Sequence, residues 1–194
     1  VAAPGDSDVN GTLIPTIPRS LWDHHGSMGK RYIKNPDREY KEHYRKCIDY
    51  ILEMQKIDVI HDHPGSRLIT AREYLKNKDR INIPILTTLH GKYEPNEEEK
   101  YKIWRQLKKD GKLIYFNALS NSQKIYFEEK AGIPIEAVIY HGVPKNIFSF
   151  EEHPQDYLFS IGRICPEKGQ HIAIEIAKKA GRRLVIAGEV HSVN

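Results

Sequence analysis

The stretch DYLFSIGRICPEKGQHIAIEIAKKAG, residues 156–181, decides how this chain is expected to fold. A short apolar strand runs into Gly162, which allows a tight backbone turn. Pro166 suits the first position of a helix, so a helix is predicted over residues 166–180. Its apolar residues recur at helical spacing and should be buried: Ile172, Ile176, Ala177 and Ala180. This order of elements predicts one unit of a parallel α/β sheet.

The same alternation of strand and helix runs through the rest of the chain. Helices are predicted over residues 37–56, 64–78, 96–109 and 120–130, and strands over 57–63, 83–89, 112–120, 135–143 and 182–188. The strands are mostly unbroken apolar runs, which is typical of parallel sheets covered on both faces. We therefore predict an α/β fold of the Rossmann-like type, with helices on both faces of a parallel sheet.

The domain organisation follows from composition. Residues 1–143 form the predicted first domain, and residues 144–155, with their Pro, Asn, Phe, Glu and His residues, have the character of a linker. Residues 156–194 supply only strand, helix and strand, too little to bury their own faces. The chain starts at Val1 without a methionine, so we expect it to be a fragment of a longer protein.

The charge balance narrows the classes of function. The chain has 30 Lys and Arg residues and 26 Asp and Glu residues, which gives a net charge of +4. This surplus fits a local anion site better than a nucleic-acid interface, which usually carries a dense basic stripe. Cys47 and Cys165 have neither metal-ligand nor CxxC spacing, and no apolar run approaches a membrane span of about 20 residues. We expect reduced thiols and a cytoplasmic protein.

Polar residues follow the predicted strands at their carboxyl ends, where ligands bind on parallel sheets. The set is His61 and His63, His90 and Gly91, Ser120, His141 and Gly142, and Gly162 and Arg163. Three interpretations of His61, His63 and His90 stay open: ligand contacts, structural histidines, or a metal site, with Asp62 as a group that could polarise a neighbouring ring. Ser120 is predicted to cap the following helix.

Two cations follow the strand quoted first. Arg163 and Lys168 should lie near the amino end of the predicted helix, beside free backbone N–H groups and the positive end of the helix dipole. A planar guanidinium and a compact ammonium together suit a diphosphate. The alternative is a solvated loop with two ordinary cations.

These residues resemble a known family. The segment YHGVP, residues 140–144, and the segment from Tyr157 to Gly188 look like the start of the carboxy-terminal domain of family 4 retaining glycosyltransferases. The segments DVIHDHPG, PILTTLHG and ALSNSQKIYF resemble later strands of their amino-terminal domain. The resemblance implies the GT-B fold, in which two Rossmann-like domains face each other across a cleft.

The resemblance also implies roles for individual residues. Arg163 and Lys168 would hold the donor diphosphate and stabilise its charge, and His90 would contact the sugar or the reacting centre, so these three are the implied catalytic residues. Gly142 and Gly162 would contribute backbone to the diphosphate site. Acceptor or sugar contacts would come from His61, His63 and Gly91. The co-substrate would be a UDP-, GDP- or ADP-sugar and the acceptor a carbohydrate or lipid, with no tightly bound cofactor and no metal.

The chain departs from the family pattern at several points. Pro144 stands where the family usually has Asp, and neither the amino-terminal glycine-rich loop nor the Glu-x7-Glu segment has a counterpart here. A non-catalytic GT-B-derived nucleotide-sugar-binding or scaffolding protein, or another GT-B enzyme such as a sugar-nucleotide epimerase or a phosphorylase, therefore stays open. The cluster Lys30, Arg31 and Lys34 is either solvated or touches an anionic acceptor or membrane surface.

Overall fold

The computed structural model describes residues 1–19, 36–54, 56–63, 68–144, 146–148 and 150–190. Trp22, Lys30, Arg31 and Lys34 lie outside the described residues. The chain divides into two compact units, Val1–Gly142 and Val143–Asn194, which we describe separately. No helix in the described ranges is long and apolar enough to cross a membrane.

The first unit alternates strands and helices, as the apolar pattern predicts. Its elements are β1 (Ala2–Ala3), β2 (Ile14–Pro15), α1 (Pro36–Glu53), β3 (Ile60–Asp62), α2 (Leu68–Lys76), β4 (Ile85–Thr88), α3 (Glu98–Lys109), β5 (Ile114–Ala118), α4 (Asn121–Ala131) and β6 (Ala137–Val138). A 3-10 turn, Pro95–Glu97, precedes α3. Strands β3 and β6 are shorter than the apolar segments that contain them; β6 pairs with β5 over only Asn117↔Ala137 and Ala118↔Val138.

The sheet of the first unit has four parallel strands in the order β3-β4-β5-β6, and β1 and β2 form a separate parallel pair. In register, Ile85 lies opposite Ile114 and Thr87 opposite Phe116. Because all four strands run the same way, their carboxyl ends meet at one edge of the sheet. The predicted α/β fold with parallel sheets flanked by helices is confirmed.

The core of the first unit lies between the sheet and its helices. Helix α3 contributes Tyr101, Trp104 and Leu107, which are almost fully buried, and Trp104 packs edge-on against Phe116 of β5 at a centroid distance of 5.5 Å. Full burial of one such side chain contributes about 1.5–3 kcal/mol. On α1, Tyr44 and Ile48 are buried, whereas Tyr40, Cys47, Ile51 and Leu52 are half-buried.

Helix α4 starts at the capping residue that the sequence predicts. The Ser120 hydroxyl accepts a hydrogen bond from the Gln123 backbone N–H at 3.1 Å, which confirms Ser120 as the cap. Gly132 stops the helix in the left-handed conformation, with φ 60°.

The second unit is smaller, and two predictions for it are wrong. It holds β7 (Leu158–Ile161), a 3-10 turn (Pro166–Lys168), α5 (Gln170–Lys179) and β8 (Leu184–Ala187), with the two strands parallel. Left-handed Gly169 separates the 3-10 turn from α5, so the helix begins at Gln170 rather than at Pro166. Ile172, Ile176 and Ala180 are exposed, and of the predicted buried face only Ala177 is buried. Two strands cover too little of α5 to bury the rest.

Candidate functional site

Four imidazole rings lie in a row at the carboxyl edge of the first unit's sheet. His61 lies in β3 and His63 directly follows it, His90 follows β4, and His141 follows β6. Successive ring centroids are 4.2 Å apart for His61–His63, 5.2 Å for His63–His90 and 5.5 Å for His90–His141. We call these four residues the histidine row. All four are exposed to solvent. Sequence analysis singled out the first three as site residues and missed that His141 stacks on His90.

Buried hydrogen bonds fix the first ring of the row. The Thr88 hydroxyl donates to Oδ1 of Asn117 at 2.8 Å, and its oxygen lies 2.8 Å from Nε2 of His61. An amide oxygen only accepts and a hydroxyl has one proton, so Nε2 of His61 must donate to Thr88. The neutral His61 ring therefore carries its proton on Nε2, and its free basic nitrogen is Nδ1. Nothing in the spacing of Thr88 and Asn117 along the chain suggested this role.

The two central rings share a hydrogen bond. Nδ1 of His63 lies 2.9 Å from Nε2 of His90, so one ring donates and the other accepts. The pKa of His63 is lowered by partial burial and by the charges of His61 and His90, and the pKa of His90 by partial burial and by His141 and His61. A second proton on this pair would remove the acceptor and place two cations side by side. The pair therefore holds one added proton at most with its hydrogen bond intact.

Gln123 of α4 holds the turn that carries His90. Its amide nitrogen donates to the carbonyl oxygens of Leu89 at 3.0 Å and Gly91 at 2.7 Å, on either side of the histidine. Its amide oxygen accepts from the Leu119 backbone N–H at 2.6 Å. Gly91, predicted as an acceptor or sugar contact, here supplies a backbone carbonyl to this clamp.

Asp62, the residue between His61 and His63, lies on the opposite face of β3 from the two histidines. Asp62 is buried, whereas His61 and His63 on either side of it are exposed, as alternation along a strand requires. Burial and, after it, the charge of the Asp62 carboxylate raise the pKa of Cys47 on α1 and of Tyr74 on α2. No group of three or more His, Cys, Asp or Glu side chains within the described ranges is arranged to hold a metal ion.

A cavity of about 810 Å³ borders the histidine row. It lies between the β1–β2 pair, α1 and β3, and its wall is largely aliphatic and aromatic but includes His61 and His63. Cys47 also lines it, with its sulfur 3.7 Å from Nε2 of His43. Burial and the charge of Asp62 raise the pKa of Cys47 to about 12, so the thiol stays protonated and this Cys–His pair is not a nucleophile.

The second candidate site is the junction after β7 in the second unit. Gly162 has φ 147°, a conformation open to glycine, and its N–H donates to Ala187 of β8 at 3.0 Å. A Cβ atom on Gly188 would lie 1.8 Å from the Gly162 carbonyl oxygen. Glycine is required at position 188 because the two backbones touch there, which sequence analysis did not foresee.

The two predicted cations stand at this junction together with a carboxylate. The Arg163 guanidinium is about half exposed (52%) and lies 3.8 Å from Glu167, and the Lys168 side chain is exposed on the 3-10 turn. The pKa of Glu167 is lowered by its own backbone N–H, then by Cys165, Arg163 and Lys168. Buried Gln170 donates to the Arg163 carbonyl at 2.8 Å and so ties the start of α5 to the turn. The junction carries two cations, and the Glu167 carboxylate offsets part of their positive charge.

Gly142, the remaining residue of the predicted diphosphate site, ends the first unit, and the space around its Cα is open.

No family model matches this chain, and no curated protein matches it significantly. The fold and the two sites define an α/β protein with parallel sheets flanked by helices, with one site in each unit.

Proposed function

We propose that this chain belongs to a retaining glycosyltransferase of the GT-B type, which moves a hexose from a nucleoside-diphosphate sugar to an acceptor. The observation that carries the proposal is the β7–Gly162–Arg163 junction. A strand ends in a glycine turn, and two exposed cations follow within six residues, ahead of α5. This arrangement suits a diphosphate, and it coincides with the residues that resemble family 4 enzymes.

The chemistry assigned to the junction is stabilisation of a leaving group. The bond between the anomeric carbon and the diphosphate oxygen breaks, and the electron pair leaves with the diphosphate. The acceptor hydroxyl attacks from the same face, and its proton passes to the departing phosphate oxygen. Arg163 and Lys168 offset the negative charge that develops, which is the type of interaction that contributes most to such reactions. The contact of His90 with the sugar or reacting centre is part of the same proposal.

Glu167 gives the proposal a particular form. Its carboxylate lies 3.8 Å from the Arg163 guanidinium, where a diphosphate oxygen would have to go. The donor must therefore displace Glu167 from Arg163, or bind with Arg163 turned away from it. Replacing Glu167 by Gln keeps the size of the side chain and removes the competing charge.

The test is a titration with UDP, GDP and ADP. Binding is monitored by NMR through the backbone amide signals of residues 162–169. One of the three is expected to bind there, Arg163→Ala to abolish binding, and Glu167→Gln to tighten it. Arg182→Ala is the matched control, because Arg182 is paired with Asp156 before β8. Failure of all three nucleotides to shift these amides, or equal binding by Arg163→Ala, contradicts the proposed site.

Turnover separates the transferase from a non-catalytic binding protein. With the matching nucleotide sugar, the anomeric configuration of the product should equal that of the donor. Arg163→Ala should lower kcat/KM about 10²-fold or more, on the scale of a lost transition-state donor. Nucleotide binding without transfer or hydrolysis in the full-length protein would favour the non-catalytic alternative.

A further inference from the structure

The histidine row brings four basic side chains together at one edge of the sheet. The ionisable groups that act on His63 are His61 and His90, and those that act on His90 are His141 and His61. Asp62 acts on Cys47 and Tyr74 on the other side of β3. In the loop after β4, Lys92 lies 3.7 Å from Glu94, which partly offsets its charge.

The edge that carries the row is favourable to anions for a second reason. In a parallel sheet each helix that follows a strand starts at the carboxyl edge, so α2, α3 and α4 point the positive ends of their dipoles to this side. Helix α3 offsets its dipole with Glu98 and Glu99 in its first turn. Helices α2 and α4 have no acidic residue in their first turns.

The row and the apolar cavity are contiguous. His61 and His63 form part of the wall of the 810 Å³ cavity, whose other lining residues include Tyr44, Ile48 and Ile51 of α1. A volume of this size lies within the range that small-molecule ligands occupy. A ligand bound here would meet imidazoles at one end and hydrocarbon over the rest of its surface.

We propose that the histidine row binds the phosphate monoester group of a ligand whose apolar part occupies the adjoining cavity, and that the His63–His90 pair takes up one proton from solvent when this ligand binds. A phosphate offers three oxygens to ring N–H donors in a row. Its negative charge favours the protonated form of the rings beside it, so binding and proton uptake favour each other. The ligand's role as acceptor rests on the proposed function; its binding does not.

The experiment follows the ring signals of the histidines by NMR over pH 5 to 8, with hexyl phosphate as probe. Inorganic phosphate and hexanol are the control ligands, because each represents one part of the probe. Sodium chloride keeps the ionic strength constant. Hexyl phosphate is expected to raise the pKa of the His63–His90 pair by about one unit or more. It should bind at least about tenfold tighter than either half, and more tightly as the pH falls from 8 towards about 6, where the phosphate monoester has its own second pKa. His153, an exposed residue of the second unit outside the Arg163–Lys168 junction, is an internal control whose ring signals should not shift with the probe.

Variants make the assignment specific. His63→Asn and His90→Asn should each reduce hexyl phosphate binding at pH 6 about tenfold, whereas His153→Asn should leave it unchanged. These positions are exposed, so the fold should tolerate the changes. The proposal is overturned if hexyl phosphate leaves the titration of His63 and His90 unchanged, or binds no more tightly than inorganic phosphate.

The source of the phosphate group is decided by a further arm with vesicles that contain phosphatidic acid. Sedimentation of the wild-type chain with these vesicles, but not of His63→Asn, indicates a lipid phosphate; binding of hexyl phosphate alone indicates a soluble one. These results are independent of the donor site. If hexyl phosphate binds while UDP, GDP and ADP do not, the inference stands and the proposed transferase function fails; the converse result rejects only the inference.

Discussion

The side-chain amide of Gln123 donates a hydrogen bond to the carbonyl oxygen of Gly91 at 2.7 Å, and thereby ties the start of α4 to the turn after β4. The same amide reaches the carbonyl of Leu89 at 3.0 Å, so both peptide groups that flank His90 are held by one side chain. An exposed ring is thus positioned by a residue from the next helix along the chain.

Gln123→Ala should therefore loosen the His90 turn. It removes the bonds to Leu89 and Gly91 and leaves the Leu119 N–H without its acceptor. We expect the free energy of unfolding to fall by about 1–3 kcal/mol and the ring signals of His90 to broaden. Gln106→Ala is the control, because the exposed side chain of Gln106 bonds Asp110 at the end of α3, and its loss should cost no more than about 0.5 kcal/mol. Equal effects of the two changes would show that Gln123 has no special positioning role.

Adjacent threonines of β4 should respond in opposite directions. Thr88→Val removes the donor to buried Oδ1 of Asn117 and the acceptor of His61, and should destabilise the fold by about 1–3 kcal/mol. The hydroxyl of Thr87 is buried without a hydrogen-bond partner among the described residues, so Thr87→Val should be neutral or stabilising. Urea unfolding of both variants measures the difference. A Thr88→Val variant as stable as the wild type would contradict the hydrogen bonds assigned to the Thr88 hydroxyl.

Gly188→Ala should disturb the ends of β7 and β8. The added Cβ would lie 1.8 Å from the Gly162 carbonyl oxygen, and a backbone atom cannot rotate away as a side chain can. We expect faster amide hydrogen exchange at Gly162 and Ile164, whose N–H groups bond to Ala187 and Glu189 across the strands. Gly142→Ala, which has open space around it, should exchange as the wild type does. Unchanged exchange in Gly188→Ala would mean that the two backbones are farther apart.

Cys47 should be unreactive at neutral pH. Burial and Asp62 raise the pKa of Cys47 from the usual 9.0 to about 12, so the thiolate is scarce below pH 9. Alkylation by iodoacetamide, followed by mass spectrometry on the Cys165→Ser variant, should be far slower than for glutathione at pH 8. The unfolded thiol ionises near 9 and the folded one near 12, so this group's contribution to stability is present below pH 9 and lost as pH rises through 12. Alkylation at the rate of glutathione would contradict the burial of Cys47.

Much of the fold could be predicted because apolar segments and amphipathic segments alternate along the chain. Apolar runs separated by amphipathic helices indicated a parallel sheet, and Ser120 marked the start of α4. The helix start at Gln170 was missed because left-handed Gly169 breaks the turn after Lys168, and Pro166 suits a 3-10 turn as well as an α-helix. Periodicity also predicted burial of Ile172 and Ile176, but burial depends on how much surface lies opposite a residue.

Local sequence was enough to predict the α/β alternation, the strand-end positions of His61, His63 and His90, and the place of Arg163 and Lys168 after a glycine turn. Those features depend on residues close together in the chain. Three others depend on the fold: His141 joins the row, Thr88 and Asn117 set the tautomer of His61, and Gly188 must stay small beside Gly162. These contacts join residues brought together by strand order and register, which parallel pairing across intervening helices fixes in space and which no local pattern encodes.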